Sequence, residues 1–597
     1  MNKYFLPSQK FFSMRTILLL TLLSVSLACT PKNKAIEESQ PDLTTHFEKH
    51  PNQTVTYEQG IAYWELLDRT FPEINLLTYG ESDVGKPMHW AILSNENHNT
   101  LESLATSKKP LLFINNAIHP GEPCGVDATM MLFRDLLTAD QASALLNEIN
   151  IIALPFYNIG GVLNRNSTTR TNQNGPESYG FRGNAKNLDL NRDFIKADSK
   201  NAKAFTNVFS MLQPEVFIDN HTTNGADYQY VMTLISSMPE HYAEPLRGIY
   251  EDELLPHLYK TMEANGEPMI PYVNSVGATP FEGIAQFNDL PRYSMGYASL
   301  FNTLAFTAEA HMLKSYEQRV WATYELMQIV TAWLADNGER VQQAKEAAEQ
   351  TEKLQNQYTV AWTIDTTAFQ TIPFLGYQNL YKKSEVSGED RLYYDQSQPV
   401  NRNIRFYNQY APTLRVNKPT AYYISQAYPA VIERLKNNNV QVEELRQDKE
   451  LEVRTYRIVS FDSRNAPYEN HFLHSNVQVE DIWITKQFYA GDYRIPLDQP
   501  NQKLLLEMLE PQAADSFFAW NFFDGVLQQK EYFSPYVFED EAAELLKANP
   551  EWKAALDKKK ANDPAFAKNT WAQLYFIYQK SEHYEPTHNI YPVYRGQ

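Results

Sequence analysis

An apolar run at 111–114 closes on Asn115-Asn116-Ala117-Ile118-His119-Pro120-Gly121-Glu122-Pro123, and a helical pattern follows over about 125–137. The run reads as a buried strand. Pro120, Gly121 and Pro123 break it into a turn. His119 and Glu122 therefore sit where a strand gives way to a helix. In an open α/β sheet that edge, at the carboxyl ends of the strands, is where chemistry is placed. An imidazole and a carboxylate three positions apart on a tight turn can reach one cation from the same side. Zinc accepts both ligand types, and a hydrolytic zinc site needs a third protein ligand and an open position.

Two further strands end in groups of the same kind. The run 216–220 ends in His221, and 303–308 ends in Glu309. Three such strand ends can converge on one rim of a sheet. Between them the loop Asn187-Leu188-Asp189-Leu190-Asn191-Arg192-Asp193-Phe194 is polar enough to belong to a site. Taken singly, each residue has a plainer reading. Glu122 can be a helix N-terminal carboxylate stabilised by the macrodipole, and His221 a buried, hydrogen-bonded imidazole. Asp189 can cap a loop, and Glu309 can be a strand-end carboxylate. The order of the set is what carries weight.

That order, His119-x-x-Glu122, then Asp189-x-Asn191-Arg192, then His221, then Glu309, resembles the zinc carboxypeptidases of the carboxypeptidase A type over about residues 57–335. The resemblance implies an α/β/α domain on a mixed sheet. It implies one zinc ion per chain, held by His119, Glu122 and His221, with Asp189 hydrogen-bonded to a ligand histidine. Glu309 would act as the general base that passes a proton from water to the leaving amine. Asn191 and Arg192 would hold the terminal carboxylate of a peptide substrate, a task suited to the planar guanidinium fork. Arg170 would polarise the scissile carbonyl, with Arg165 and Arg182 as alternatives in the same long loop. Tyr297 would close over the substrate, with Tyr293 as its rival. The implied activity is hydrolysis of the C-terminal peptide bond. Other readings of the same motifs are a zinc peptidase for peptidoglycan peptides, an N-acyl amino acid amidase or deacylase, and a surface binding protein with a vestigial site. Cys124, beside the metal turn, reads as a buried structural thiol.

A net charge of −19 argues against a nucleic-acid partner. At 597 residues the chain exceeds one ordinary core. Its two cysteines, Cys29 and Cys124, make no disulfide framework. Lys3, Lys10 and Arg15 precede an apolar stretch too short to span a bilayer, a secretory signal over 1–28. It ends Val25-Ser26-Leu27-Ala28-Cys29, which resembles a bacterial lipoprotein signal and implies lipidation of Cys29 and a cell-envelope location facing periplasm or surface. Residues 29–55 are polar and aperiodic, as in a flexible tether. The capping-box pattern Thr56-Tyr57-Glu58-Gln59 opens the expected catalytic domain, 56–345. Polar residues over 346–357 read as a helical linker. A second, strand-rich α+β domain is expected over 358–597, where His471-Phe472-Leu473-His474 reads as a solvated loop.

Overall fold

The computed structural model describes residues 41–139 and 142–597, so Cys29, the signal and residues 29–40 of the expected tether lie outside the described residues. Nine strands build the first half: β1 Ile74–Glu81, β2 Pro87–Leu93, β3 Leu111–Asn115, β4 Asn150–Leu154, β5 Val216–Thr223, β6 Met232–Ser236, β7 Met269–Pro271, β8 Ile284–Ala285 and β9 Leu304–His311. Eight of them form one mixed sheet in the order β1-β2-β4-β3-β5-β9-β6-β7. Its centre, β4-β3-β5-β9, is parallel. Both faces of a parallel sheet must be covered, and every residue of β3, β4 and β5 is accordingly buried.

Side-chain alternation divides those strands between two helical layers. Phe113 and Phe217 point to the helix Lys200–Leu212, where they meet Phe205 and Phe209. Asn220, of opposite parity, points to the helices Cys124–Thr138 and Tyr316–Leu354, beside Gly125 and Met327. The layered mixed-sheet architecture is the one expected. The parallel order places the ends of β3, β5 and β9 side by side, with His221 opposite Glu309 in register.

The body begins earlier than composition implies. Thr45 caps a short helix, His46–Lys49, in a capping box with Glu48. Phe47 is buried against Tyr316 and Trp321. One aromatic anchor thus brings part of the expected tether onto the domain. The helix over Tyr57–Thr70 starts at Thr56, with Gln59 closing the predicted capping box.

Residues 346–354, in the expected helical linker, are helical. The helix Tyr316–Leu354 runs through the expected boundary, and Val341, Ala344 and Ala348 remain buried along it. The apolar face narrows to small side chains instead of ending.

The second half is strand-rich, as expected, but its largest buried cluster is shared with the first half. Tyr422, Val431, Leu435, Leu505, Phe517 and Trp520 belong to the same buried cluster as Phe113 and Leu304. β8 pairs in parallel with the strand Asp390–Tyr407, an edge that stitches the halves by main-chain hydrogen bonds. Two small clusters lie apart from the shared one, one in the helices over 535–578 around Phe538, Leu556 and Tyr578, and one around Leu445, Val453, Phe488 and Tyr594. A chain ending at residue 357 exposes the apolar surface that this cluster covers. Expressed alone, 41–357 is expected to be insoluble or to melt without a cooperative transition in calorimetry. A soluble fragment melting like the whole chain would restore the two-domain description.

Candidate active site

β3 delivers the chain to the site through a tight backbone path. Ala117 adopts a left-handed φ of 57°, and the Glu122 amide donates back to the His119 carbonyl at 2.8 Å. Gly121 has a steric reason: a Cβ there would lie 2.6 Å from Cδ of Arg170 and 3.2 Å from the Gly180 carbonyl oxygen. The turn is thereby pressed beneath Arg170.

His119, Glu122 and His221 are all buried, and one ligand atom from each lies within 4.8 Å of the others. The hydrogen bonds fix both tautomers. Nε2 of His119 donates to Asp189 Oδ1 at 2.9 Å, and Nε2 of His221 donates to Asp219 Oδ2 at 2.9 Å. A carboxylate only accepts, so each neutral imidazole carries its proton on Nε2 and a bare lone pair on Nδ1. The two Nδ1 atoms face each other at 3.1 Å, and Glu122 oxygens stand 3.0 Å from one and 3.4 Å from the other. Four electron-rich atoms converge with no donor between them. Two nitrogens bound tetrahedrally at about 2.0–2.1 Å to one zinc stand roughly 3.3 Å apart, so the cradle fits that ion. It is the sole such cluster among the described residues.

Asp219 was missed by sequence reasoning, although its signal was present: on a strand, residues two apart share a face, which sets Asp219 beside His221. It is fully buried and also accepts from Ser294 Oγ and from Asn115 Nδ2. Each ligand histidine therefore has its own carboxylate.

The cradle opens into a cavity of about 480 Å³. Arg170, Arg182, Asn191, Arg192, Glu309 and Tyr293 line it. Arg170 Nη1 lies 2.6 Å from Glu122 Oε1, and Arg182 lies 3.4 Å from the same oxygen and 2.9 Å from Asp189. Arg165 is spent elsewhere, donating to the carbonyls of Val55 and Ser178. Burial would raise the Glu122 carboxyl, but Arg170 and His119 outweigh it and hold the group well below the usual carboxylate range. Burial pushes Glu309 the other way, up to about 8, with His221 opposing and Glu122 adding to the rise. A dication in the cradle would draw that proton off. Among the described residues, no side-chain donor touches the Glu309 carboxyl.

Asn191 and Arg192 stand on a short turn, Leu190–Arg192, capped by the Asp189 side chain. Asn191 Oδ1 accepts from the Ser294 amide at 3.1 Å, so the side-chain NH₂ is the end left for a ligand. The Arg192 guanidinium lies 4.7 Å from the centre of the Tyr293 ring.

Tyr297 is not at the site. It is wholly buried among Phe194, Phe209 and Phe301, and its hydroxyl donates to Asn438. It rides on the helix Ser294–Ser299, whose phase turns it into the core, whereas Tyr293, just before that helix, lines the cavity. Tyr272 and Phe287 line it too. Cys124 is buried against the His221 carbonyl and Thr222, as a structural thiol would be. His471 and His474 are not solvated: His471 Nε2 lies 2.7 Å from Asp198 Oδ2, and His474 is buried 3.1 Å from Asp524.

Residues 61–232 match the zinc carboxypeptidase family, a span holding every residue above up to His221 but not Glu309. Carboxypeptidase 2 of Trichophyton rubrum is 21% identical over 431 residues, 69% of this chain and 74% of that protein. Carboxypeptidase 2 of Trichophyton tonsurans is 21% identical over 430 residues, with the same coverage. Among solved structures, a metallo-carboxypeptidase from Pseudomonas aeruginosa in complex with (2-guanidinoethylmercapto)succinic acid aligns with a TM-score of 0.37 at 17% identity, over 48% of this chain and 70% of that one.

Partners behind a ligand histidine typically change metal affinity by roughly 10- to 100-fold. Asp219→Asn is therefore expected to release zinc to a chelator at least about 10-fold faster than the unaltered protein, and His221→Ala to purify without zinc. Stoichiometric zinc in His221→Ala would remove that residue from the ligand set.

Proposed function

We infer, for a chain that carries a zinc carboxypeptidase domain, that Glu309, Arg170, Asn191 and Arg192 act together to remove the C-terminal residue of a peptide with a large apolar side chain. The observation that carries this reading is the composition of one cavity. A cation cradle, an unpaired carboxyl, two guanidiniums and a carboxylate grip share a single lining.

Zinc, when bound, lowers the pKa of water and polarises a carbonyl. The chain's own groups supply the rest. Glu309 takes the proton of the attacking water and returns it to the leaving amine. Arg170 faces the carbonyl oxygen as its negative charge develops, with Arg182 beside it. Asn191 and Arg192 bind the terminal carboxylate, and this sets which bond lies under Glu309. Asp189 and Asp219 keep both histidine lone pairs turned inward.

The rest of the lining selects the side chain. Ile235, Tyr272, Phe287, Tyr293 and Met295 line the cavity, and among the described residues its only carboxylates are Glu122 and Glu309. A terminal lysine or arginine finds no free anion there. An imperfectly compensated buried polar group costs about 1–3 kcal/mol, or roughly 5- to 150-fold in an equilibrium. Peptides ending in Phe, Leu or Met are thus expected to exceed those ending in Lys by roughly 30-fold in kcat/KM. On the same panel, C-terminal amidation should cost the unaltered enzyme roughly 30-fold or more, and Arg192→Ala should erase that difference. Glu309→Gln should keep its zinc yet lose roughly 10²- to 10⁴-fold in turnover. Equal cleavage of free and amidated peptides, or internal cleavage, would reject exopeptidase action and favour the cell-wall reading.

We further propose that Cys29 is lipidated and that the enzyme is held at a bacterial cell-envelope membrane. The support is the sequence ending in Ala28-Cys29 after a basic and apolar leader. No helix among the described residues is long and apolar enough to cross a membrane. Cys29→Ser is expected to move the protein from the membrane pellet to the soluble fraction, and retention in the pellet would count against the anchor.

A further inference from the structure

Among the described residues, one side chain of the second half hydrogen-bonds to Asp189. Tyr468 and His471 exchange main-chain hydrogen bonds of 2.7 and 3.0 Å, closing a two-residue turn. Its central residues, Glu469 and Asn470, have φ of 48° and 71°. Positive φ at both centres is the type I′ geometry that favours Asn and Gly. Asn470 suits it. Glu469 does not, since a glutamate with positive φ is uncommon. Such backbone strain persists where surrounding contacts impose it, and it clusters at functional positions.

The Glu469 carboxylate accepts from the Asp189 amide at 2.8 Å. Asp189 is the residue on which both parts of the site turn. Its Oδ1 holds the His119 ring and accepts from the Asn191 amide, and it caps the turn that presents Asn191 and Arg192. The segment just beyond is fastened by the same tip: Asp198 accepts from His471 at 2.7 Å and from Arg434 at 2.8 Å, and Lys196 bridges Asp193 and Asp198. Arg292 lies 5.7 Å from the Tyr468 ring and pairs with Asp515 at 2.8 Å. The tip is held on both flanks, and among the described residues Glu469 makes its one hydrogen bond to the Asp189–Arg192 turn.

We propose that Glu469 is a positioning residue for the reaction, and that the 464–473 hairpin of the second half fixes the main chain at Asp189 so that His119 and the Asn191–Arg192 grip keep their mutual placement. The strain at Glu469 is the cost of a carboxylate where the turn itself would favour glycine. This assigns residues 358–597 a part in the site that they do not line. The proposal rests on Asn191 and Arg192 gripping substrate, but zinc retention is read without substrate and tests it apart from that reading.

Glu469→Gly separates positioning from folding. Glycine adopts positive φ without penalty, so the melting temperature should stay or rise while the contact to Asp189 is lost. Expected are a roughly 10-fold faster zinc release to a chelator and a roughly 10-fold higher KM for peptides with a free C-terminus, with kcat changed less. Glu469→Gln keeps an acceptor oxygen and should restore most of both losses. Zinc release and KM like those of the unaltered protein in Glu469→Gly would overturn the proposal. So would equal losses in the glycine and glutamine variants, which would assign the effect to charge instead of placement. If Glu469→Gly lowers the melting temperature, the comparison of Glu469→Ala with Glu469→Gln decides on the same two readouts.

Discussion

Two imidazole nitrogens held face to face at 3.1 Å, each with its lone pair bare, are the constraint on which the rest of this structure depends. Left alone, such a pair would rotate apart or take up a proton. Asp189 and Asp219 prevent rotation from behind, and Glu122 adds a third electron-rich atom in front. Desolvation makes each of these charges expensive, so they must be paired, and the pairing reaches outward in shells. Arg170 and Arg182 lie against Glu122; Ser294 and Asn115 lie against Asp219; Glu469 lies against the main chain of Asp189. Much of the polar interior of the first half is explained by the need to hold three ligand side chains turned to one point.

How much of this could be read in the sequence depends on whether the deciding interaction is local. The ligands and Glu309 were legible because each follows an apolar strand, and strand order in an α/β fold brings the carboxyl ends together. Asp219 had a local signal in its spacing from His221. Tyr297 did not, because a helix of six residues does not reveal its own phase. Whether Tyr293 or Tyr297 faces the cavity is set by the aromatic cluster of Phe194, Phe209 and Phe301, contributed by other segments. Arg165 and Arg170 sit in one loop with similar surroundings in sequence. Carbonyls from residues 55 and 178 decide between them.

The same distinction explains the boundary. A polar run after residue 339 looks like the end of a domain when apolar content is the measure. Alanines at 344 and 348 carry little hydrophobic signal, yet they allow close packing and continue the buried stripe. The strand pairing of β8 with Asp390–Tyr407 joins segments far apart in the chain and has no local trace. Phe47 is a single aromatic in a polar stretch, and one side chain is enough to order the segment around it.

The shared core also changes what a cut in the chain would do. Residues 504–523 supply buried leucines and aromatics to the same cluster that backs the metal-bearing strands. A protease that nicked the second half, far from any reacting atom, would loosen the wall behind the site and silence the enzyme. Loss of activity is then an early report of damage to the shared core, however far from the site the cut falls.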